Sequence, residues 1–497
     1  MNAAKLLRQK ILDLAIRGKL TNREKGDEPA AELLARIAAE KQKLIAAKKI
    51  KKEKPLPPIT EDEKPFDLPM GWEWSRLKEI TDSRLLNDGD WILSDDMVEE
   101  GPVKLLQLGS VGDGVYRNKG FKYLTEERFR NLGCTLIHEG YLLINRMIGD
   151  SLLACLMPKI DGKVITAVDI CWVSPSERYD VKFLMYVVLS PYFQKAANDL
   201  GAGEGRVRVS KGNLTQISIP LPPLAEQHRI VSRVEELLAE VDKYSAAMDT
   251  LASSSEMMEK KVLDLAIRGK LTKREKGDEP AAELLARIAE EKQKLVAAKK
   301  IKKEKPLPPI TEDEKPFDIP EGWEWCRLGC LVEIVSGVSY QKGDIRPDGI
   351  RILRGGNLKE DNRLYLNGDD VFISKSYANE ENAVRKDDIV VVASTGSATV
   401  IGRPAIAEAD MPGVQIGAFL RIVRSRKKEL AKWLQLAFRS DFYRRHIREC
   451  SKGTNINNLK NEYMTEFCIP IPPLAEQHRI VARVDELLAE CRKMRGV

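Results

Sequence analysis

The sequence predicts an α+β protein: two mixed α/β domains with small sheets, separated by a long antiparallel helical coiled coil. Three observations carry this. A helical frame is written twice, two unlike segments of similar length lie between its copies, and one frame helix bears an apolar seam of five heptads.

The frame comes first. Residues 11–77 and 262–328 agree at 60 of 67 positions with an offset of 251, differing in pairs such as Ile11/Val262, Asn22/Lys273 and Met70/Glu321. A second repeat pairs IPLPPLAEQHRIVSRVEELLAE at 219–240 with IPIPPLAEQHRIVARVDELLAE at 469–490, identical at 19 of 22 positions. The frame is repeated while the segments between, roughly 78–218 and 329–468, are not.

The seam runs Ile230, Val234, Leu237, Val241, Tyr244, Met248, Leu251, Ser255, Met258, Val262, Leu265, an alternation of three and four that marks a coiled coil. Pro222 and Pro223 before it and Gly269 after it predict a helix over 224–268. The second copy is cut by the chain ends: Ile480, Val484, Leu487, Cys491 and Met494 continue its first half, and Ala4, Leu7, Ile11 and Leu14 supply the second. The frame therefore reads as circularly permuted with an internal pseudo-two-fold, and the two termini are expected to meet.

A further helix follows Gly269, with Asp278 as its expected cap, Pro280 near its first turn and Leu284, Leu285, Ile288 and Leu295 on one face; its counterpart begins near Pro29. Each ends in KKIKKEKPLPPITEDEKPFD, which predicts an extended proline-rich spacer. The expected organisation is 1–66 for the N-terminal frame region, 67–223 and 318–473 for the two variable domains, 224–317 for the central frame region, and 474–497 for the closing helix. Inside the variable domains, strands are expected at Val103–Leu108, Tyr141–Asn145, Ile350–Leu353 and Ile389–Ala393, and helices over 181–199 and 429–449.

Composition sets the class. With 43% apolar and 31% charged residues the chain is globular in character, and no apolar run reaches the length of a membrane span, so no membrane partner is expected. The net charge is +6, but 67–223 holds 18 basic against 21 acidic residues and 318–473 holds 23 against 21, so charge alone points only faintly to nucleic acid. Eight scattered cysteines without a CxxC pair fit free thiols in the cytoplasm. Cys326 with Cys330, and Cys134 with His138, are each four apart and would share a helical face as partial metal ligands, but no second pair completes either set; no metal site is expected. His228 and His478 read as surface residues of the frame helices. There is no NPPY or DPPY loop, no GxxxxGK[ST] and no GxGxxG, and GAGEG at 201–205 has the wrong spacing, so no catalytic residue is assigned.

Three features taken together resemble the specificity subunits of Type I restriction-modification enzymes: the opening PxGWEWxRL at 69–77 and 320–328, the exit strand running into PPLAEQHRIV, and the duplicated frame around two unlike domains. The resemblance covers essentially the whole chain. It implies that each variable domain is a target recognition domain reading half of a split, asymmetric double-stranded DNA sequence for phage defence, with half-sites about 34–36 Å apart. It also implies two copies of an adenine-methylating modification subunit and a restriction/translocase subunit as partners, carrying the S-adenosylmethionine, ATP and Mg; this chain would hold no cofactor. A stand-alone DNA-binding regulator and a protein-only coiled-coil adaptor are the alternatives.

Within such domains, readout is expected where the two copies diverge on a common frame. The loop before the exit strand is GAGEGRVRVSKGNL in one and SKGTNINNL in the other, offering Arg206, Arg208 and Lys211 against Lys452, Thr454, Asn455 and Asn457. RGGNLK at 354–359 resembles a loop common in these domains and adds Arg354 and Asn357; Gly355 and Gly356 would permit close backbone approach. STGS at 394–397 adds Thr395, and Arg117 and Lys119 flank a turn in the first domain. The basic run Arg439, Arg444, Arg445, Arg448 reads either as a phosphate track or as a solvated helix face.

Overall fold

The computed structural model describes residues 3–52, 56–203, 207–299, 301, 303–450 and 457–494, the side chains of 457 and 458 excepted. The predicted meeting of the termini falls on 1–2 and 495–497, outside the described residues. Two compact units result, Met1–Ala247 and Met248–Val497.

The long helix is Leu224–Ile267, 44 residues and about 66 Å at 1.5 Å per residue. It starts where the Pro222–Pro223 pair ends and stops at Gly269, whose φ of 64° suits glycine and lets the amides of Gly269 and Lys270 return to the Ala266 and Leu265 carbonyls. In the first unit its early half lies antiparallel to helix Ala3–Ile16: Thr21 Oγ1 donates to Glu226, and Arg8 pairs with Asp242. In the second unit its later half lies antiparallel to helix Leu474–Met494, with Ser255 Oγ donating to the Cys491 carbonyl and Thr272 Oγ1 to Glu476.

The seam departs from expectation in two ways: its middle, 242–254, buries no residue on any face, and its last turns are shifted in phase. Ile230, Val234, Val241 and Ser255 are buried, but Tyr244, Met248, Leu251 and Met258 are exposed, and the last turns bury Leu263, Ala266 and Ile267 in place of Val262 and Leu265. The short helices shift likewise: Leu12, Ala15 and Ile16 are inside while Leu7 is exposed, and Leu488 replaces Leu487. A helix of 3.6 residues per turn drifts about 20° per heptad from a 3.5-residue seam. These helices also cover the recognition domain of their own unit, sharing one apolar core with it, so a broader stripe is buried than a two-helix seam requires.

The second frame helices, Ala30–Ala46 and Ala281–Ala297, bury Ala30, Leu33 and Ile37, and Ala281, Leu284 and Ile288. Asp278 is not their cap. The cap position is Pro280, and Asp278 lies too far upstream to reach the first-turn amides; it instead accepts from Glu275 N and from Arg479. The proline-rich spacers are pinned rather than free. Arg76, 2% exposed, donates to the Pro57 carbonyl and Glu63 at 2.7 Å each; Arg327 donates to the Pro308 and Pro309 carbonyls and to Glu314 at 2.8 Å.

Each variable domain is closed by its own ends: entry strand Glu73–Arg76 pairs antiparallel with exit strand Ser218–Leu221, and Glu324–Arg327 with Cys468–Ile471. Above that pair lies a four-stranded antiparallel sheet. Its order is Leu86–Asp88, Ile170–Val173, Leu142–Asn145, Leu153–Leu156 in the first domain. In the second it is Val332–Ser336, Leu420–Ser425, Ile389–Val392, Pro404–Ile406. A further sheet in each contains one parallel pair, Val103–Leu106 with Lys163–Thr166 and Ile350–Leu353 with Met411–Ile416. The helices expected over 181–199 and 429–449 are each broken in two, at Ser190 and Ser440. Pro191 has no amide to continue the first, and each serine hydroxyl accepts from an amide three residues on. Among the described residues no helix is long and apolar enough to cross a membrane.

Candidate nucleic-acid interface

The repeated motifs build the base of each domain. The first tryptophan of GWEW and the glutamate of AEQH meet: Trp72 Nε1 donates to Glu226 and Trp323 Nε1 to Glu476, both at 3.0 Å and both buried. The neighbouring Gln227 and Gln477 amides donate to the Pro222 and Pro472 carbonyls, and Gln227 accepts the amide of Asp180. The motifs are thus a joint between frame and domain.

The loop before each exit strand is held as half of a two-stranded ribbon. Val207–Arg208 pairs antiparallel with Met147–Ile148, and Asn457–Asn458 with Ser394–Thr395. In each domain the partner strand is the direct continuation of an interior strand of the four-stranded sheet, Leu142–Asn145 or Ile389–Val392. The segment that leads from each variable loop is therefore paired with an extension of that sheet.

In the first domain the cations of the ribbon are already oriented. Arg208 pairs with Asp169 at 2.9 Å, each side chain a little over one-third exposed. Lys211 donates to Asn87 Oδ1 at 2.6 Å and lies 4.0 Å from Asp88. Beneath them Arg146, buried, faces Asp88 at 3.0 Å and donates to the Val209 and Val168 carbonyls, fastening the base of the loop to the sheet. Burial pushes the Asp88 carboxyl above its ordinary value, against Arg146, Lys211 and Arg208. Arg206 lies outside the described residues. Arg117 and Lys119 are exposed on a different loop, between Ser110 and strand Phe121–Leu124.

The second domain presents a less charged ribbon. Thr395 Oγ1 accepts from the Ser397 amide, and Arg444 donates to the Thr399 and Ile401 carbonyls, bracing the turn behind it. Arg444 is half-buried, with its guanidinium already engaged by these two carbonyls. Lys452, Thr454 and Asn455 lie outside the described residues, as does the side chain of Asn457. Arg354 is half exposed and donates to the Asp369 carbonyl. Asn357 is 1% exposed: its amide donates to Tyr365 O and Asp370 Oδ1 and accepts from Arg354 N, so the side chain is used inside the loop. A Cβ on Gly355 or Gly356 would meet nothing within 4 Å, which leaves that surface open.

The structure also shows what sequence reading missed. RGGNLK has a counterpart in QLGSV at 107–111: both follow a strand with a short 3-10 turn, and buried Ser110 stands where Asn357 does. Gln107 is thus the counterpart of Arg354. Met147 and Ile148 were missed as the other half of the first ribbon; the one available signal was that STGS also follows a buried strand. The Cys134–His138 pair is not helical, because Gly133 ends helix Glu126–Leu132 in a left-handed turn. Among the described residues no group of three or more His, Cys, Asp or Glu is arranged to hold a metal ion.

Residues 69–244 and 320–495 each match the family described as Type I restriction modification DNA specificity domain. The chain belongs to this family. It is 31% identical to the EcoAI specificity subunit and 27% identical to the EcoEI specificity subunit, both of Type I restriction enzymes of Escherichia coli; each alignment covers 99% of this chain and 90% of the relative. A solved structure described as the basis of complex assembly and conformational transition of the type I R-M system shares the fold, with a TM-score of 0.60 over 87% of this chain and 93% of that one at 19% identity. Each specificity-domain match starts just before a GWEW strand and takes in frame-helix residues, 224–244 in the first and Leu474–Met494 in the second. The family unit is accordingly a recognition domain together with its helix, present twice.

Proposed function

We propose that this Type I specificity subunit reads an asymmetric, split sequence in double-stranded DNA, one half with each recognition domain, and itself catalyses nothing. The observation that carries the reading is the pair of ribbons: the same two-stranded projection from the same interior strand, built from unlike residues on near-identical frames. Backbone pairing holds the projection whatever its side chains, so the readout can change without the scaffold changing.

Arg208, Lys211 and Arg206 serve the first half-site, and Thr395, Asn457, Lys452, Thr454 and Asn455 the second, with Arg354 on an adjoining loop. Arg117 and Lys119 supply phosphate contacts. Asn357 shapes its loop from within and does not touch a base. A well-aligned bidentate contact discriminates by about 1–3 kcal/mol. The duplicated frame surfaces support docking of two modification subunits, with a restriction/translocase subunit joining them. S-adenosylmethionine, ATP and Mg belong to those partners, and the eight free thiols fit a cytoplasmic site of action.

The test is a map of methylated adenines in a host carrying this chain and its modification subunit, against the same host lacking only this chain. A split motif that disappears with the chain is the expected result. Unchanged methylation overturns the reading in favour of a regulator or an adaptor.

A further inference from the structure

The two ribbons leave their four-stranded sheets at equivalent places, so the residues around them correspond one to one. In the first domain Arg146 N donates to Asp169 O at 2.9 Å and Val209 N to Arg146 O at 3.0 Å; in the second, Ala393 N donates to Phe419 O at 2.8 Å and Leu459 N to Ala393 O at 2.7 Å. The registers agree as well. Asn145 faces Ile170 as Val392 faces Leu420, and Met147 faces Arg208 as Ser394 faces Asn458. The turn before the neighbouring strand closes in the same way, Ile170 N on Ala167 O at 3.0 Å and Leu420 N on Gly417 O at 2.9 Å. Phe419 therefore stands where the first domain has Asp169, and Asn458 where it has Arg208.

In the first domain those two positions form the Asp169–Arg208 ion pair, which holds the ribbon cation in place. The second domain replaces the acid with a benzyl side chain that is 68% exposed. Trp433, Phe438, Tyr443 and Phe467 of the same domain are buried in its core. The Phe419 carbonyl accepts two amides, Ala393 N at 2.8 Å and Ser394 N at 3.1 Å, so the ring leaves a tethered main chain at the base of the ribbon.

We propose that Phe419 is a specificity-determining residue of the second recognition domain, and that its ring takes the C5 methyl group of a thymine in the major groove; this rests on the reading that the ribbons meet DNA. A two-stranded ribbon fits the major groove, and the thymine methyl is the apolar group that base edges display there. A ring with no charge and no donor has nothing to offer a phosphate. Covering ring and methyl together removes both from water. The ribbon strand beside Phe419 is Asn457–Asn458, and asparagine is the side-chain type that matches adenine, the partner of that thymine. The chemistry on the two sides of this contact thus converges on an A·T pair, where the first domain offers an arginine and an acid.

The full chain with its modification subunit is titrated against duplexes carrying the split target, natural or with one thymine at a time replaced by uracil, which lacks only the methyl. The natural chain is expected to lose about fourfold in affinity at one uracil in one half-site, as for one buried methyl group withdrawn. Phe419→Ala is expected to bind the natural duplex roughly tenfold more weakly, to be indifferent to that uracil, and to melt with the natural chain because the side chain it loses is exposed. Phe419→Leu should keep the response to the methyl, and Phe419→Asp, which installs the residue of the other domain, should abolish it. Sequence-specific binding in which no uracil acts through Phe419, or a Phe419→Ala chain that still senses the same methyl, overturns this inference and leaves the proposed function standing. Binding that ignores sequence altogether overturns both.

Discussion

The two joints and the two ribbons are both repeated parts, yet they repeat differently. The joints agree atom by atom: Thr21 and Thr272 reach their glutamates at 3.2 and 3.1 Å, Trp72 and Trp323 at 3.0 Å each, and the ion pairs Arg229–Asp27 and Arg479–Asp278 both measure 2.5 Å. The ribbons agree only in backbone: Val-Arg pairs with Met-Ile in one and Asn-Asn with Ser-Thr in the other. A buried carboxylate with two donors demands particular side chains, because a buried polar group left without a partner costs about 1–3 kcal/mol. A strand pair at the surface demands only main chain. Attachment is consequently fixed while the side chains of the ribbons are free to vary.

Removing the joint's carboxylate breaks the comparison at its strongest point. Glu226→Ala and Glu476→Ala each leave a buried indole N–H and a threonine hydroxyl unpaired and are expected to destabilise their own unit by about 2–4 kcal/mol. Urea unfolding followed by tryptophan fluorescence measures this; losses differing by more than about 1 kcal/mol would mean the two joints are not equivalent. Next comes the arginine that pins the spacer. Arg76→Ala and Arg327→Ala are each expected to cost about 2 kcal/mol. Arg327→Ala should also change the acid response. The Arg327 guanidinium holds the Glu314 carboxyl down to about 2, from 4.5 when unfolded. The stability this contributes is complete above pH 4.5 and is lost as the pH falls from 4.5 towards 2. Melting curves across that window should fall less steeply for Arg327→Ala than for the natural chain.

Repetition made the frame legible. The helix ends at 224 and 267 follow from Pro223 and Gly269, which act on the backbone locally. The buried stripe was legible only to within one residue, since Leu263 in place of Val262 depends on which neighbours the helix covers. Asp278 carried the sequence signature of a cap and was captured instead by Arg479, 201 residues away. In the interface, the divergent loops were visible in the sequence but their partners were not: pairing between 147–148 and 207–208 is a contact across the domain that neither segment's composition announces. Asn357 is the instructive case, since a donor-rich side chain in a glycine loop fits base contact and loop closure equally well until its burial is known.

The smallest expected effects sharpen the comparison most. Arg208→Ala removes an exposed ion pair, so stability should stay within about 0.5 kcal/mol. DNA affinity should drop about tenfold, or about 1.4 kcal/mol, and only through the half-site of the first domain. Titration against duplexes altered in one half-site at a time measures this; equal loss for every duplex would make Arg208 a phosphate contact, and the salt slope would then fall by about one unit. Asp169→Ala separates the two roles from the other side. If Arg208 reads a base, losing the carboxylate that orients it at 2.9 Å should leave affinity nearly unchanged and weaken discrimination at that half-site. If Arg208 meets a phosphate, deleting the competing negative charge should strengthen binding to every duplex alike.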